Sequence, residues 1–266
     1  MKRIAKRLLP AAILERLRRV RSFIVTRHSA KLKRFLGNSQ HLLQCQIAYN
    51  MYGGYCVPLS SHHRYSAQSI LAGMIWEPLT IALVRNEVGA GDIVHAGTFF
   101  GDFLPAYSQY CARDARVWAF EPNPENYRCS MVTVLVNGLD NVELINAGLG
   151  VTKGEVSLII AEANGRALGG ASYISDEGSK LGRTVSVKIT SIDECVPAER
   201  VVSVIQLDVE GYELSALSGA LATIRRCLPL LILETLPNRD WLEKNIFPLG
   251  YKVVGTVHEN TVLRAK

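Results

Sequence analysis

The chain has 266 residues, of which 48% are hydrophobic and 20% charged. A chain of this size and composition buries one sizeable core, which excludes an intrinsically disordered protein. Its six cysteines form no Cys-x-x-Cys pair and no grouping with histidine of the kind that binds zinc, so we expect a reduced, cytoplasmic protein. No uninterrupted apolar run reaches the roughly 20 residues that a membrane-spanning helix needs.

The net charge of +6 is concentrated in residues 1–36, which carry twelve Lys or Arg against a single acid. Apolar residues recur there at helical spacing and predict a basic amphipathic helix. They are Ile13, Leu17, Val20 and Ile24. Such a helix can pack on the domain, make a peripheral contact with an anionic inner membrane surface, or bind nucleic acid, and the acidic balance of the remaining chain argues against nucleic acid. We predict a basic N-terminal helical extension and connector over residues 1–66 and a folded domain over residues 67–266.

The end of this extension, residues 50–66, is rich in Gly, Tyr and Ser and is predicted to be irregular. His62 and His63 lie in it, and we expect them to be solvated rather than to bind a metal. Apolar spacing over residues 67–88 predicts a helix that is interrupted near Pro78.

From Gly89 onward, short β-branched runs alternate with helical stretches. Strands are predicted at 92–95, 117–120, 142–146, 202–207 and 230–234, and helices from 102, over 126–136 and over 213–226. This alternation predicts an α/β fold with a mostly parallel, doubly wound, Rossmann-like sheet. A β-hairpin insertion with a long Gly-rich loop and a closing antiparallel strand pair interrupt and end the pattern. The hairpin is predicted from 155–160 and 184–189, and the closing pair from 251–255 and 258–263.

A glycine-bearing turn follows the first strand of this predicted sheet. Glycine lets a ligand approach the backbone closely, and the start of the next helix offers unpaired N–H groups to an anionic group. Glycines also end many strands as plain turns, so the turn alone is a weak indication. The residues that we predict to bind a cofactor in this turn are His95, Gly97, Thr98, Gly101 and Asp102.

The second strand ends in Glu121, just over twenty residues past the glycine turn, where an acid can accept hydrogen bonds from both ribose hydroxyls of an adenosine. Asn123 is predicted to belong to the same cofactor site, and a surface acid before Pro122 is the alternative explanation of Glu121. Nicotinamide dinucleotides and S-adenosylmethionine are both bound in this way. No tyrosine has lysine four positions later, as a short-chain dehydrogenase would need, so the sequence favours the methyl donor.

Several motifs resemble, in their order, the FkbM family of S-adenosylmethionine-dependent methyltransferases. They are Trp76-Glu77-Pro78-Leu79-Thr80, Gly101-Asp102, Phe120-Glu121-Pro122-Asn123-Pro124, Leu207-Asp208-Val209-Glu210-Gly211-Tyr212-Glu213 and Gly219-Ala220. The resemblance spans residues 76–235 and implies a class I methyltransferase fold, S-adenosyl-L-methionine as cofactor, and O-methylation of hydroxyl groups on sugars or natural products. In the first turn the family usually has an acid and a Gly-Ala-Asn type sequence, where this chain has His95 and Thr98-Phe99.

Methyl transfer from a sulfonium to a sugar hydroxyl requires alignment of the two reacting atoms and a base for the hydroxyl proton. Asp208, Glu210 and Glu234 are predicted, in that order, to act as this base or to orient the acceptor, because they follow neighbouring parallel strands. A divalent cation held by Asp208 and Glu210 is a less favoured alternative. We expect Glu213 to cap the following helix instead.

The leading hypothesis is an O-methyltransferase acting on a hydroxyl of a carbohydrate, glycolipid or natural product. A non-catalytic cofactor-binding or scaffold protein with the same fold and an RNA methyltransferase are the alternatives. The expected partner is a small-molecule or glycan acceptor, which Arg166, Ser172 and Tyr173 in the insertion are candidates to contact. His258 is expected to be structural.

Overall fold

The computed structural model describes residues 42–174 and 182–266. The amphipathic helix and the membrane contact predicted for residues 1–36 lie outside the described residues. Within those residues, no helix is both long and apolar enough to cross a membrane. The strands are β1 Cys45–Asn50, β2 Gly53–Pro58, β3 Asp92–Ala96, β4 Val117–Phe120, β5 Val142–Ile145, β6 Gly148–Leu149, β7 Gly154–Glu162, β8 Tyr173–Ile174, β9 Gly182–Thr190, β10 Val202–Leu207, β11 Leu230–Leu233, β12 Tyr251–Val257 and β13 Asn260–Ala265. The α-helices are α1 Tyr65–Leu71, α2 Pro78–Glu87, α3 Leu104–Tyr110, α4 Pro124–Asn137, α5 Ile192–Cys195, α6 Glu213–Ser218, α7 Leu221–Cys227 and α8 Arg239–Asn245.

The central sheet has seven strands in the order β12-β13-β11-β10-β3-β4-β5. Strands β5, β4, β3, β10 and β11 are mutually parallel, and β13 runs antiparallel to both β11 and β12. Every residue of β3 is buried, as expected for a central parallel strand covered on both faces. Val94 and Ala96 pack in the core layer on one face, and Ile93 packs in the other. The predicted α/β, Rossmann-like fold with a terminal antiparallel strand is confirmed.

The insertion between β5 and β10 forms a second sheet, in the order β6-β9-β7-β8. Strands β7 and β9 pair antiparallel, which confirms the predicted hairpin. The segment before β8 folds back over the ends of the parallel strands. There the Asn126 side chain donates to the Gly169 carbonyl (3.0 Å), and the Asn123 side-chain amide donates to Ser172 Oγ (3.0 Å). The insertion therefore covers the edge of the sheet at which ligands bind in folds of this kind.

The segment predicted to be an irregular connector contains a β-hairpin instead, formed by β1 and β2. Its backbone is satisfied by polar side chains of α4: Cys56 N–H donates to Thr133 Oγ1 (2.9 Å) and Gly54 N–H donates to Asn137 Oδ1 (2.8 Å). Residues 43–266 form one compact unit that includes this hairpin. The Gly- and Tyr-rich sequence of the hairpin segment does not predict the two strands, because their pairing depends on these contacts with a distant helix.

Two predicted helices are each broken into a pair. Residues 67–88 form α1 and α2, separated ahead of Pro78 as predicted. The single helix predicted over 213–226 is wrong, because it divides into α6 and α7 at Gly219. A Cβ on Gly219 would lie 2.0 Å from the Gly150 carbonyl oxygen, so the break brings two backbones into direct contact. Helix α8 has no counterpart in the sequence-based prediction.

Candidate active site

The carboxyl ends of β3, β4, β10 and β11 form the floor of the site. The backbone N–H groups of Glu121, Asp208 and Glu234 donate to carbonyls of the neighbouring strands at 3.1, 3.1 and 3.0 Å, respectively. These bonds continue the sheet ladder by one residue past each strand. They bring the three carboxylates to one edge of the sheet, as the topology predicts.

Gly97 allows the turn after β3 to lie directly against the end of β10. Its φ is +82°, and a Cβ there would lie 1.8 Å from the Asp208 carbonyl oxygen. No other residue fits this position without displacing the backbone. The Gly97 backbone consequently lines both cavities described below.

Phe99 holds an unusual backbone conformation in the same turn, with φ at +52°. Large residues rarely adopt the left-handed region, and two hydrogen bonds fix this one. Its N–H donates to Glu121 Oε2 (2.7 Å), and its carbonyl accepts from Ser130 Oγ (2.6 Å). The turn is thus tied to Glu121.

Glu121 is 4% exposed and accepts two backbone hydrogen bonds, from Phe99 N–H and from Asn123 N–H at 2.8 Å. Burial raises the pKa of its carboxyl to about 8, although the two N–H donors act in the opposite direction. The Asn126 side-chain amide also donates to Glu121 Oε1 (3.5 Å), whereas Oε2 accepts only from Phe99 N–H among the described residues and keeps a free lone pair beside a narrow cavity. Glu121 is therefore a buried acceptor directed at a ligand space.

The narrow cavity has the composition of a nucleoside site. Around Glu121 its walls are mostly apolar, and one hydroxyl, that of Ser172, faces it from the insertion. The apolar lining includes Pro122, Leu149, Leu158 and Ile174. A mostly apolar slot bordered by two acids, Glu121 and Asp208, suits a purine ring attached to a ribose. The residues present fit an adenosine-containing cofactor.

His95 lines neither cavity. It is fully buried, its ring packs edge-on against Phe103 and Tyr107, and neither ring nitrogen has a hydrogen-bond partner. Burial lowers the pKa of His95 to about 3, so the ring is neutral. Successive side chains of a strand point to opposite faces, and Ala96 takes the cavity side of β3. The contact of His95 with the cofactor stays a prediction. The buried position of the ring does not support it.

Three other predicted cofactor residues shape the turn and the helix start rather than line a cavity. Thr98 Oγ1 donates to the Phe120 carbonyl at 3.1 Å, and Gly101 turns the chain with φ at +87°. Asn123 is the N-cap of α4, where its side chain accepts from Glu125 N–H. Asp102, in contrast, lines the larger cavity, and burial raises the pKa of its carboxyl to about 8.

Asp208, Glu210 and Glu234 are brought together, and one carboxylate oxygen from each lies within 4.8 Å of the other two. Burial, the charge of Glu234 and a hydrogen bond with Glu234 raise the pKa of Asp208 well above its usual range. Burial and the charge of Glu234 raise the pKa of Glu210 to about 7. Carboxyl groups this close retain a shared proton and can accept or return one near neutral pH. The same oxygens are of the type that Mg²⁺ takes as ligands.

A larger cavity of about 420 Å³ opens beside the narrow one and contains the three carboxylates. Its lining also includes six residues that were not predicted to belong to the site: His63, Arg64, Trp76, Glu77, Glu259 and Asn260. Glu77 has φ at +43° and accepts from Thr80 Oγ1 (2.7 Å) and Asn260 Nδ2 (3.0 Å), which joins the start of α2 to the terminal hairpin. The Trp76-Glu77-Pro78 motif marks Glu77 in the sequence, but nothing in the motif indicates that Asn260 lies next to it.

The remaining candidates fall into two groups. In the insertion, Arg166 lines the larger cavity and Ser172 the narrow one. Glu213 accepts from Val209 N–H (3.1 Å) in the first turn of α6, and His258, in the β12–β13 turn, accepts from Leu79 N–H (3.3 Å). Both of these hydrogen bonds are structural.

Comparison with known proteins assigns most of the chain to one family model. Residues 87–252 match the model of the methyltransferase FkbM domain. The hexuronic acid methyltransferase AglP of Haloferax volcanii is 32% identical over 164 residues, which cover 59% of this chain and 63% of AglP. The match therefore spans slightly less than two thirds of that relative's length.

Solved structures also align with the chain. The methyltransferase FkbM of Methylobacillus flagellatus aligns with a TM-score of 0.46 and 18% identity, covering 65% of this chain and 43% of that one. A SAM-dependent methyltransferase of Aquifex aeolicus aligns with a TM-score of 0.39 and 14% identity, covering 71% of this chain and 88% of that one.

Proposed function

Because the chain belongs to the FkbM methyltransferase family, we propose that it transfers a methyl group from S-adenosylmethionine to a hydroxyl of a carbohydrate, glycolipid or natural product. The observation that carries this proposal is the adjacency of two cavities across Gly97. One is a narrow, mostly apolar slot bordered by Glu121, and the other is a polar cavity that holds Asp208, Glu210 and Glu234. The carbohydrate methyltransferase among the relatives supports the class of acceptor.

In this proposal Glu121 accepts hydrogen bonds from the ribose hydroxyls, and the apolar walls of the narrow cavity hold the adenine. The cofactor supplies an electrophilic methyl group on a sulfonium. Gly97 and Asp208 lie on the boundary between the two cavities, where the reacting centre would be placed. The protein's main contribution is to align the acceptor oxygen with the methyl group and to exclude water.

Asp208 takes the acceptor's hydroxyl proton as the oxygen attacks, and Glu234 shares that proton. The pair acts as the base in its ionised form, because two carboxyl groups in contact take up one proton more readily than two isolated ones, and this proton passes to solvent after transfer. Glu210 orients the hydroxyl. It follows β10 in a turn with φ at +52°, followed by Gly211 with φ at +89°.

Asp208→Asn tests this role, because asparagine keeps the size of the side chain and cannot accept the proton. We expect kcat, measured as adenosylhomocysteine release with a carbohydrate acceptor, to fall about 10²- to 10⁴-fold. Affinity for adenosylhomocysteine by calorimetry should remain within a few-fold of wild type. Glu143→Gln, which removes an exposed ion pair with Arg116, is the matched control and should leave both values unchanged. A full-rate Asp208→Asn enzyme would remove Asp208 as the base.

A further inference from the structure

Acidic and basic side chains occupy different parts of the lining of the larger cavity. Six of its lining residues are acidic, among them Asp208, Glu210 and Glu234 at the strand ends, while a second group of lining residues is cationic. This cationic group consists of Arg64 and Arg166. It comes from two segments that are distant in the sequence, the entry to α1 and the insertion.

Both arginines project from backbone that is fixed by hydrogen bonds. Arg64 is the N-cap of α1, its N–H donates to the Ser61 carbonyl (2.9 Å), and its carbonyl accepts from Gln68 N–H (2.9 Å). Arg166 closes a tight turn, in which its N–H donates to Asn164 Oδ1 (2.8 Å) and its carbonyl accepts from Glu162 N–H (2.9 Å). The two side chains therefore start from defined positions at the cavity.

Neither guanidinium has a partner among residues 42–174 and 182–266: no carboxylate oxygen lies within 4.0 Å of either, and neither side chain forms a hydrogen bond there. Their charges nevertheless act on the cavity. After burial, Arg166 and Arg64 are the next causes that lower the pKa of His63. The charge of Arg64 also lowers the pKa of Glu210. Burial and the charge of Glu234 outweigh this effect, so the pKa stays raised, at about 7, and Arg64 does not fully compensate the charge of Glu210.

We propose that Arg64 and Arg166 form a subsite that binds an anionic group of the acceptor, a carboxylate or a phosphate, while the hydroxyl to be methylated faces Asp208. This inference rests on the proposed function, since it names the class of acceptor for the same site. Guanidinium groups bind such oxyanions through paired, charge-assisted hydrogen bonds. The acidic strand ends would repel the anion, so the division of charge also sets the orientation of the acceptor.

Calorimetry on the full chain saturated with adenosylhomocysteine tests the subsite. The probes are 4-nitrophenyl β-D-glucuronide and glucose 6-phosphate, each compared with its uncharged counterpart, the 4-nitrophenyl glucoside and glucose. We expect at least one anionic probe to bind about tenfold or more tightly than its neutral partner. The identity of that probe distinguishes a carboxylate from a phosphate.

Arg64→Gln and Arg166→Gln should each weaken the preference for the anionic probe, and the double variant should abolish it. Arg113→Gln is the matched control, because Arg113 is an exposed arginine that precedes β4, at the opposite edge of the sheet. Affinity for adenosylhomocysteine should be equal in all four variants, which shows that each one is folded.

Equal or absent binding of charged and neutral probes, with adenosylhomocysteine binding intact, would overturn the subsite and leave the proposed function standing. A preference that survives in the double variant would also overturn it. Wild-type protein that fails to bind adenosylhomocysteine would contradict the proposed function itself.

Discussion

Glu121 is the residue on which cofactor binding depends most directly. A carboxylate accepts hydrogen bonds from both ribose hydroxyls only when it is ionised. In the free protein, burial raises the pKa of its carboxyl to about 8, so most of the population is protonated at neutral pH. Burial disfavours the ionised form of Glu121, whereas ribose hydroxyls that donate to the carboxylate favour it.

We accordingly predict that affinity for adenosylhomocysteine rises as the pH increases from 6 to 9, with the steepest change near pH 8. Calorimetry across this range measures it. In Glu121→Gln the pH dependence should disappear and the affinity at pH 9 should fall about tenfold or more, because a charged acceptor is lost. Affinity that is independent of pH in the wild type would show that Glu121 does not contact the nucleoside.

At the scale of the elements, the β3–α3 turn depends on a close backbone contact. Gly97→Ala would place a Cβ 1.8 Å from the Asp208 carbonyl oxygen and force a residue with φ at +82° into a strained conformation. We predict a loss of roughly 2 kcal/mol or more in the free energy of unfolding and weaker cofactor binding. Chemical denaturation and calorimetry measure the two effects.

Gly89→Ala is the matched control, because Gly89 also has positive φ (+51°) but no atom within 4 Å of the added Cβ. It should cost about 1 kcal/mol of conformational strain and leave cofactor binding unchanged. Equal effects of the two substitutions would show that the contact with Asp208 is unimportant.

The parallel strands and the hairpin insertion were predictable from sequence, because buried strands and their alternation with helices follow from local hydrophobic patterns. Glu121, Asp208 and Glu234 were placed correctly at one sheet edge, since each follows such a strand. The β1–β2 hairpin, the break at Gly219 and the position of Glu77 were not predictable. Each depends on a partner distant in the chain, such as Gly150 for Gly219 or Asn260 for Glu77.

Across the whole molecule, buried acids near the site make stability depend on pH. Burial raises the pKa of both Asp102 and Glu121 to about 8, so the folded state binds more protons than the unfolded state between their ordinary values and pH 8. Stability is therefore fully present below the unfolded values and is lost as the pH rises through about 8. His95, whose pKa burial lowers to about 3, acts in the opposite direction but only below its ordinary value of 6.5.

We predict that the free energy of unfolding falls between pH 6.5 and 8, where His95 is neutral in the folded state and at most half protonated in the unfolded state, by roughly 1 kcal/mol per pH unit or more. Urea denaturation at several pH values measures this slope. Asp102→Asn should reduce the slope, and His95→Phe should leave it unchanged above about pH 7.5, where His95 is neutral in both states. Stability that rises between pH 6.5 and 8 would contradict the assignment of these buried acids.

The central claim is that adenosine is held between the turn at Gly97 and the carboxylate of Glu121, with the acidic residues after β10 and β11 facing the transferred methyl group. A crystal structure of the full chain with adenosylhomocysteine tests it most directly. We predict both ribose hydroxyls within hydrogen-bonding distance of Glu121 and the sulfur directed toward the larger cavity beside Asp208. A nucleoside bound elsewhere, or a Glu121 side chain that makes no contact with the ribose, would contradict it.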